Sequence, residues 1–300
     1  MWHGETSPVP RAASFETQPD RLGGASAGDP WADCPRQELT SWGWTHVQVQ
    51  DRVRSVPGVV SLERQNDVAI VTLRRPEKRN ALSIELRQEV ANAFGHLSRD
   101  DGVGCIVLTG AGTAFCSGMD TSQFGGDLEH RRRLVETSTV AFEAVGNCRR
   151  PIVAAINGPA IAGGFSLALL CDLRIASSSA VFGYPELPRG IPPSYAAARA
   201  VLPATVAQEL CLTGRLVKAE EAQKLGIVRE VVSGDVVARG LQLAQRIAAL
   251  PRAAVLETKR RTLLERRHLW GFLFDEEERV FRRALLGTEA AQPEENGEAA

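Results

Sequence analysis

Ala154-Ala155-Ile156-Asn157-Gly158-Pro159-Ala160-Ile161-Ala162-Gly163-Gly164-Phe165-Ser166-Leu167-Ala168-Leu169-Leu170-Cys171-Asp172 is the stretch on which the fold of this chain turns. The apolar run from Ile152 to Ile156 reads as a strand, and Asn157-Gly158-Pro159 ends it. Small residues at 162 to 164 then open an apolar helix. The first N–H groups of a helix have no intrahelical acceptor, so they face whatever lies at its end, a position suited to an anion. Glycines serving only a tight strand-to-helix connection would leave the same local pattern.

A second glycine-containing loop lies upstream, Thr109-Gly110-Ala111-Gly112-Thr113-Ala114-Phe115-Cys116-Ser117-Gly118-Met119-Asp120, after an apolar strand expected over 105 to 109. It is not a dinucleotide fingerprint, because the third glycine of GxGxxG would fall at Phe115. It also lacks the Lys-Ser/Thr ending of a nucleotide-triphosphate loop. Further out, Val68 to Leu73 reads as a strand stopped by the turn Arg74-Arg75-Pro76-Glu77. Ser83 is a good N-cap for a helix on which Ile84, Leu86, Val90, Phe94 and Leu97 recur at mainly helical spacing. With another strand over 173 to 176, the pattern is that of an α/β chain with crossovers. Beyond about residue 195 the texture is mostly helical, over 218 to 225, 236 to 249 and the charged region Arg252 to Leu286.

Composition narrows the function classes. With 44% hydrophobic and 24% charged residues the chain reads as a globular protein of ordinary type. Its 35 basic and 36 acidic residues leave a net charge of −1, so no global field favours nucleic acid or an anionic membrane. The runs Arg131-Arg132-Arg133, Lys259-Arg260-Arg261 and Arg266-Arg267 read as solvated helix faces. Cysteines 34, 105, 116, 148, 171 and 211 have no CxxC spacing, and the five histidines, His3, His46, His96, His130 and His268, have no ligand spacing. No metal is expected, and the cysteines read as reduced, mostly buried residues.

No apolar run approaches the roughly 18 residues that would span a bilayer, and no secretory signal is apparent. Glu5, Glu16, Asp20 and Asp29 argue against a transit peptide, so a cytoplasmic location is the expectation. Residues 1–55 read as a poorly ordered extension that nevertheless carries Trp2, Trp31, Trp42 and Trp44. A core over 56–234, a helical C-terminal subdomain over 235–287 and a flexible tail over 288–300 complete the expected organisation.

Together the two glycine loops resemble the two halves of the oxyanion hole of the enoyl-CoA hydratase/isomerase (crotonase) family. AFxxGxD stands here at 114 to 120, and NGxAxGGG-like text at 157 to 164. Arg75-Pro76, Asn80-Ala81-Leu82, Phe182-Gly183-Tyr184-Pro185-Glu186, Leu212-Thr213-Gly214 and 222 to 228 extend the agreement over roughly residues 59 to 286. The resemblance implies a ClpP/crotonase-like spiral of ββα units with a helical C-terminal region. It also implies a homotrimer or homohexamer, and an acyl-CoA substrate with coenzyme A bound as part of the thioester rather than as a resident cofactor.

Carried over by position, the resemblance puts the N–H groups of Met119 and Gly163 at the thioester oxygen, with Asp120, Ala162, Gly164 and Ser166 lining the pocket. Glu186 takes the acid/base role; its apolar surroundings, Val181-Phe182-Gly183-Tyr184-Pro185, would raise its pKa by desolvation. Lys78, Arg79, Ala81, Lys259 and Phe281 are the implied coenzyme A contacts. Ser166 departs from the hydratase pattern, in which a second glutamate stands. A single carboxylate suffices to shift a proton across an enolate, so Δ3,Δ2-isomerisation is the simplest expectation, with hydration or dehydration as the alternative. A crotonase-fold binding or scaffold protein without catalysis is the alternative from another class. A serine nucleophile is disfavoured, since Gly164-Phe165-Ser166-Leu167-Ala168 is one glycine short of GxSxG.

Overall fold

The computed structural model describes residues 58–287. The expected extension, with its tryptophans, and the expected tail lie outside them. Strands β1 (Val60–Gln65), β2 (Val68–Leu73), β3 (Cys105–Gly110), β4 (Ile152–Ile156), β6 (Leu173–Ser177) and β9 (Glu230–Val232) form one sheet in the order β1-β2-β3-β4-β6-β9. All neighbours pair parallel except β1 and β2, which form a hairpin. A sheet of parallel strands needs cover on both faces, which is why β2 to β4 read as unbroken apolar runs. The pleat sorts them: Val71, Leu73, Ile106, Leu108, Ile152, Ala154 and Ile156 face one buried cluster, while Val68, Ile70, Cys105, Val107, Val153 and Ala155 face the other.

Helices α1 (Ile84–Leu97) and α2 (Leu128–Gly146) pack against each other, and α1 covers the larger cluster's side of β2. Ser83 does cap α1, its hydroxyl accepting the Leu86 N–H at 3.1 Å. The opposite face is closed by α7 (Val236–Ala248), which lies on β3 and β4. Gly240 allows that approach, since a Cβ there would stand 3.0 Å from the Ala155 methyl.

The short strands β5 (Ala160–Ile161), β7 (Val181–Gly183) and β8 (Leu216–Lys218) form a second, smaller sheet. Its parallel pair β5 and β7 continues through isolated parallel bridges between Cys116 and Ala160 and between Leu82 and Met119. Each turn of the chain therefore gives one strand to the large sheet and one short extended segment to the second layer. This is the expected spiral of ββα units. The two- and three-residue strands β5, β7, β8 and β9 are too short for alternation to reveal them in the sequence.

Three helices complete the middle of the chain, α3 (Gly163–Leu169), α4 (Tyr195–Arg199) and α5 (Ala204–Thr213), followed by α6 (Ala219–Lys224). The last element is α8, which runs from Arg252 to Leu286 and packs on α2 and α4. Its attachment to the core is electrostatic as well as apolar. Asp172, just before β6, receives the Lys259 ammonium at 2.7 Å, the Arg266 guanidinium at 3.3 Å and the Ile152 N–H at 2.8 Å. Burial pushes the Asp172 carboxyl up, but the two cations and their hydrogen bonds overcome it and hold it below the ordinary carboxylate range.

No helix among the described residues is long and apolar enough to cross a membrane. Cysteines 105, 116, 148, 171 and 211 are free and buried, and burial raises the thiols of Cys105, Cys116 and Cys171 to about 12.

Replacing Asp172 by Ala strands two buried cations, and breaking a buried pair in this way costs about 3–5 kcal/mol. Urea unfolding of Asp172→Ala is expected to show that loss at pH 7. A variant within about 0.5 kcal/mol of wild type would mean that the Asp172 ion pairs add little to the attachment of α8.

Candidate active site

Four segments leave the same end of the large sheet, after β2, β3, β4 and β6, where parallel α/β sheets commonly bind ligands. They are stitched edge to edge by main-chain bonds. Leu82 donates to the Gly118 carbonyl at 2.8 Å and accepts from the Asp120 N–H at 3.3 Å. Ile161 donates to the Cys116 carbonyl at 3.1 Å, and Ala162 to the Gly183 carbonyl at 2.8 Å. Such contact leaves no room for side chains at two points. A Cβ on Gly164 would overlap the Cys116 carbonyl, and one on Gly118 (φ +87°) would lie 2.6 Å from the Ala162 Cβ and 3.2 Å from the Gly163 nitrogen.

This stitching decides where the amides point. A parallel bridge uses the carbonyl before and the N–H after the bridging residue, so with Gly118 and Asp120 bonded to Leu82 the Met119 N–H faces the other way. Gly163 is the first residue of α3, whose earliest helical donors are Phe165 and Ser166, both to the Ala162 carbonyl. Within the described loops neither N–H is taken by a main-chain acceptor. Leu82 and Phe142 stand beside Gly163, at 3.3 and 3.5 Å from where a Cβ would be.

Two asparagines hold the first loop in shape. Buried Asn80 accepts the Arg75 N–H and donates to the carbonyls of Ala111 and Ala114 at 2.9 and 2.8 Å. Asn157 accepts the Gly110 N–H and donates to the Gly112 carbonyl. Asp120, expected as a pocket residue, is part of the same clamp. Its carboxylate takes the Arg75 guanidinium at 2.9 Å and the Ser122 hydroxyl at 2.6 Å. Burial raises that carboxyl, and the Ser122 and Arg75 contacts bring it below the ordinary range.

Glu186 lies three residues beyond Gly183, on the stretch that follows β7. One carboxylate oxygen, Oε2, is buried without a hydrogen-bond partner among the described residues. Desolvation raises its pKa to about 7, with its own N–H and the Arg189 charge acting against the rise. Ser166 is also buried, and its hydroxyl lies 3.4 Å from the Tyr184 hydroxyl.

These loops and strands are those of a known family. The model for "Enoyl-CoA hydratase/isomerase" matches residues 63–267. The chain belongs to the enoyl-CoA hydratase/isomerase family.

Among relatives of this family, the chain is 36% identical over 202 residues to a probable enoyl-CoA hydratase of Rhizobium meliloti, a match covering 66% of this chain and 78% of that one. It is 36% identical over 212 residues to an enoyl-CoA hydratase of Mycobacterium tuberculosis, covering 67% and 80%. A solved enoyl-CoA hydratase/isomerase from Mycobacterium paratuberculosis superposes with a TM-score of 0.73 at 27% identity, covering 79% of this chain and 97% of that structure.

The expected coenzyme A residues of this family member do not form a single group. Exposed Lys78 and Arg79 do border the first loop, since the Arg79 carbonyl accepts the Ser117 N–H at 3.0 Å. Ala81 is buried, its carbonyl taken by Arg75 at 2.6 Å. Lys259 is spent on Asp172 and is only 4% exposed, so it offers no free charge to a phosphate. Half-buried Phe281 stands on the same helix about 33 Å further along, at 1.5 Å per residue. A separate open groove between α1 and α2, lined by Ile84, Glu85, Gln88, Glu89, Gln123, His130 and Arg133, contains none of the expected site residues. Among the described residues no group of three or more His, Cys, Asp or Glu side chains gathers as a metal site would require.

Two outcomes follow from this geometry. Ala162 has φ +52° and ψ −132°, a conformation that a Cβ disfavours, so Ala162→Gly is expected to raise stability by about 1 kcal/mol after the entropy of the added glycine is subtracted. A lowered melting temperature would count against strain at that position. For Glu186 the folded pKa lies above the unfolded one, so its contribution is complete below about 4.5 and is lost as pH rises towards about 7. Glu186→Gln should therefore gain stability relative to wild type across that window, and a pH-independent difference in urea midpoints would refute the shift.

Proposed function

We propose that this chain binds an acyl-CoA thioester, holds its carbonyl oxygen between the Met119 and Gly163 N–H groups, and transfers a proton with Glu186, most simply as a Δ3,Δ2-enoyl-CoA isomerase. The observation that carries this reading is the half-desolvated Glu186, three residues beyond the Gly183 whose carbonyl is bonded to Ala162, next to Gly163.

The chemistry follows from charge. Removing a proton from the carbon beside a thioester carbonyl leaves an enolate whose negative charge concentrates on oxygen. Each preorganised N–H aimed at that oxygen contributes about 3 kcal/mol at the transition state. Main-chain donors serve best here because the stitched loops fix them before the substrate arrives. A carboxyl near pKa 7 is part ionised at neutral pH, so Glu186 can accept the proton from the α-carbon and return it to the γ-carbon. The double bond moves by one position, and the carboxylate is regenerated without a second base.

Hydration is the second reading, and the hydratase names of the relatives from Rhizobium meliloti and Mycobacterium tuberculosis favour it. Adding water across a double bond needs a group to activate the water and one to protonate carbon. Ser166 is a poor base at neutral pH, and its hydroxyl faces Tyr184. Hydration by this chain would therefore rest on Glu186 alone. Coenzyme A enters this reading as part of the substrate, bordered by Lys78 and Arg79, and a homotrimer or homohexamer is the assembly that goes with it.

A product assay with 3-enoyl, 2-enoyl and 3-hydroxyacyl-CoA thioesters separates the readings. Conversion of 3-enoyl-CoA without hydration of 2-enoyl-CoA is expected, and Glu186→Gln should lower kcat by about 10²–10⁴. Hydration alone would select the second reading. Wild-type binding without turnover of any of the three would leave a scaffold protein.

A further inference from the structure

We propose that Glu277, on α8, is a positioning residue for Glu186, holding the far end of the loop that carries it; this rests on Glu186 being the acid/base. That loop has little to fix it from within. Between β7 and α4 it contains Pro185, Pro188, Pro192 and Pro193, which donate no main-chain hydrogen bond. Its main-chain bonds, such as Arg189 to Glu186 at 2.9 Å and Gly190 to Leu187 at 2.9 Å, are local and close only its own turns. Anchorage to the rest of the protein falls to side chains.

Glu277 supplies that anchorage at one point. Its two carboxylate oxygens accept the Ser194 hydroxyl at 2.7 Å and the Ala196 N–H at 2.6 Å, where the loop ends and α4 begins. The Ser194 carbonyl in turn accepts the Tyr184 hydroxyl at 3.2 Å, and that hydroxyl lies 3.4 Å from Ser166. Tyr184 is fully buried against Phe165, with ring centroids 5.1 Å apart, and it stands two residues before Glu186. Both flanks of Glu186 are thus tied to one carboxylate, through Tyr184 on one side and Ser194 on the other. No cation forms an ion pair with Glu277 among the described residues, and burial raises its carboxyl against the pull of the Ala196, Ser194 and Tyr195 donors. A carboxylate so placed is costly to desolvate, and what it obtains is two hydrogen bonds into this loop.

Steady-state kinetics on the full chain, with the thioester that wild type turns over, tests this through Glu277→Ala, Glu277→Gln, Glu186→Gln and the double variant Glu186→Gln/Glu277→Ala. Misplacement of a reacting group costs rate rather than affinity, so Glu277→Ala should lower kcat about ten- to a hundredfold with KM within about twofold. Glu277→Gln should recover part of the loss, because its amide oxygen still accepts one of the two donors. In the Glu186→Gln background, removal of Glu277 should change kcat by less than about twofold, because its effect runs through the missing carboxylate. A Glu277→Ala enzyme with wild-type kcat, or an equal loss with and without Glu186, overturns the proposal.

Should Glu277→Ala fail to fold, Ser194→Ala and Glu277→Gln carry the test. Unchanged kcat in both would overturn it, and a lowered kcat at constant KM would uphold it. If Glu186→Gln itself turns over at the wild-type rate, the acid/base assignment fails. An inactive Glu186→Gln beside a fully active Glu277→Ala rejects only the positioning role.

Discussion

The molecule depends on edge-to-edge contact between main chains on successive turns of the spiral. Leu82 with Met119, Cys116 with Ala160, and Ala162 with Gly183 place four segments in one layer above the ends of the parallel strands. Peptide groups can approach this closely only where no Cβ intervenes, as at Gly118 and Gly164. The same contact consumes half of each extended segment's hydrogen-bonding groups and leaves the others directed away from the partner, which is how the Met119 N–H stays free of the bridge. The polar character of the site thus originates in backbone geometry, and the side chains nearest Gly163, Leu82 and Phe142, are apolar.

That origin explains what the sequence discloses. The large-sheet strands are legible because burial on both faces demands unbroken apolar runs, and α1 announces itself through its Ser83 cap and helical period. The glycine loops are legible because close approach requires glycine. Glu186 stands out as one charge in an apolar stretch, and its surroundings do raise its pKa. Lys259, Asp120 and Ser166 each have a partner that the sequence does not disclose. Residue type suggests chemistry facing a ligand, whereas the partner that engages each side chain is Asp172, Arg75 or Tyr184, far away in sequence.

The seam of α8 shows why such partners stay hidden. Its inward positions run Lys259, Leu263, Arg266, Trp270 and, half-buried, Leu273 and Glu277, spaced four and three residues apart as on one helix face. Charged residues occupy half of that face, so the segment reads as a solvated helix although it is well packed. Each charge is balanced locally: the two cations by Asp172 and by main-chain carbonyls, the carboxylate by the Ser194 and Ala196 donors. The two short strands that follow α5 and α6 stay equally hidden, because two or three residues cannot express a period.

The two attachments of α8 set its gauge. Arg266 grips the Gly146 and Leu170 carbonyls, and eleven residues on, about 16 Å at the helical rise, Glu277 meets the start of α4. Each residue added to or removed from that span would turn the second grip by about 100° around the axis and slide it by about 1.5 Å. Point substitutions on the outer surface leave both grips aligned. Insertions and deletions between them do not, so the length of this stretch is constrained more tightly than its spelling.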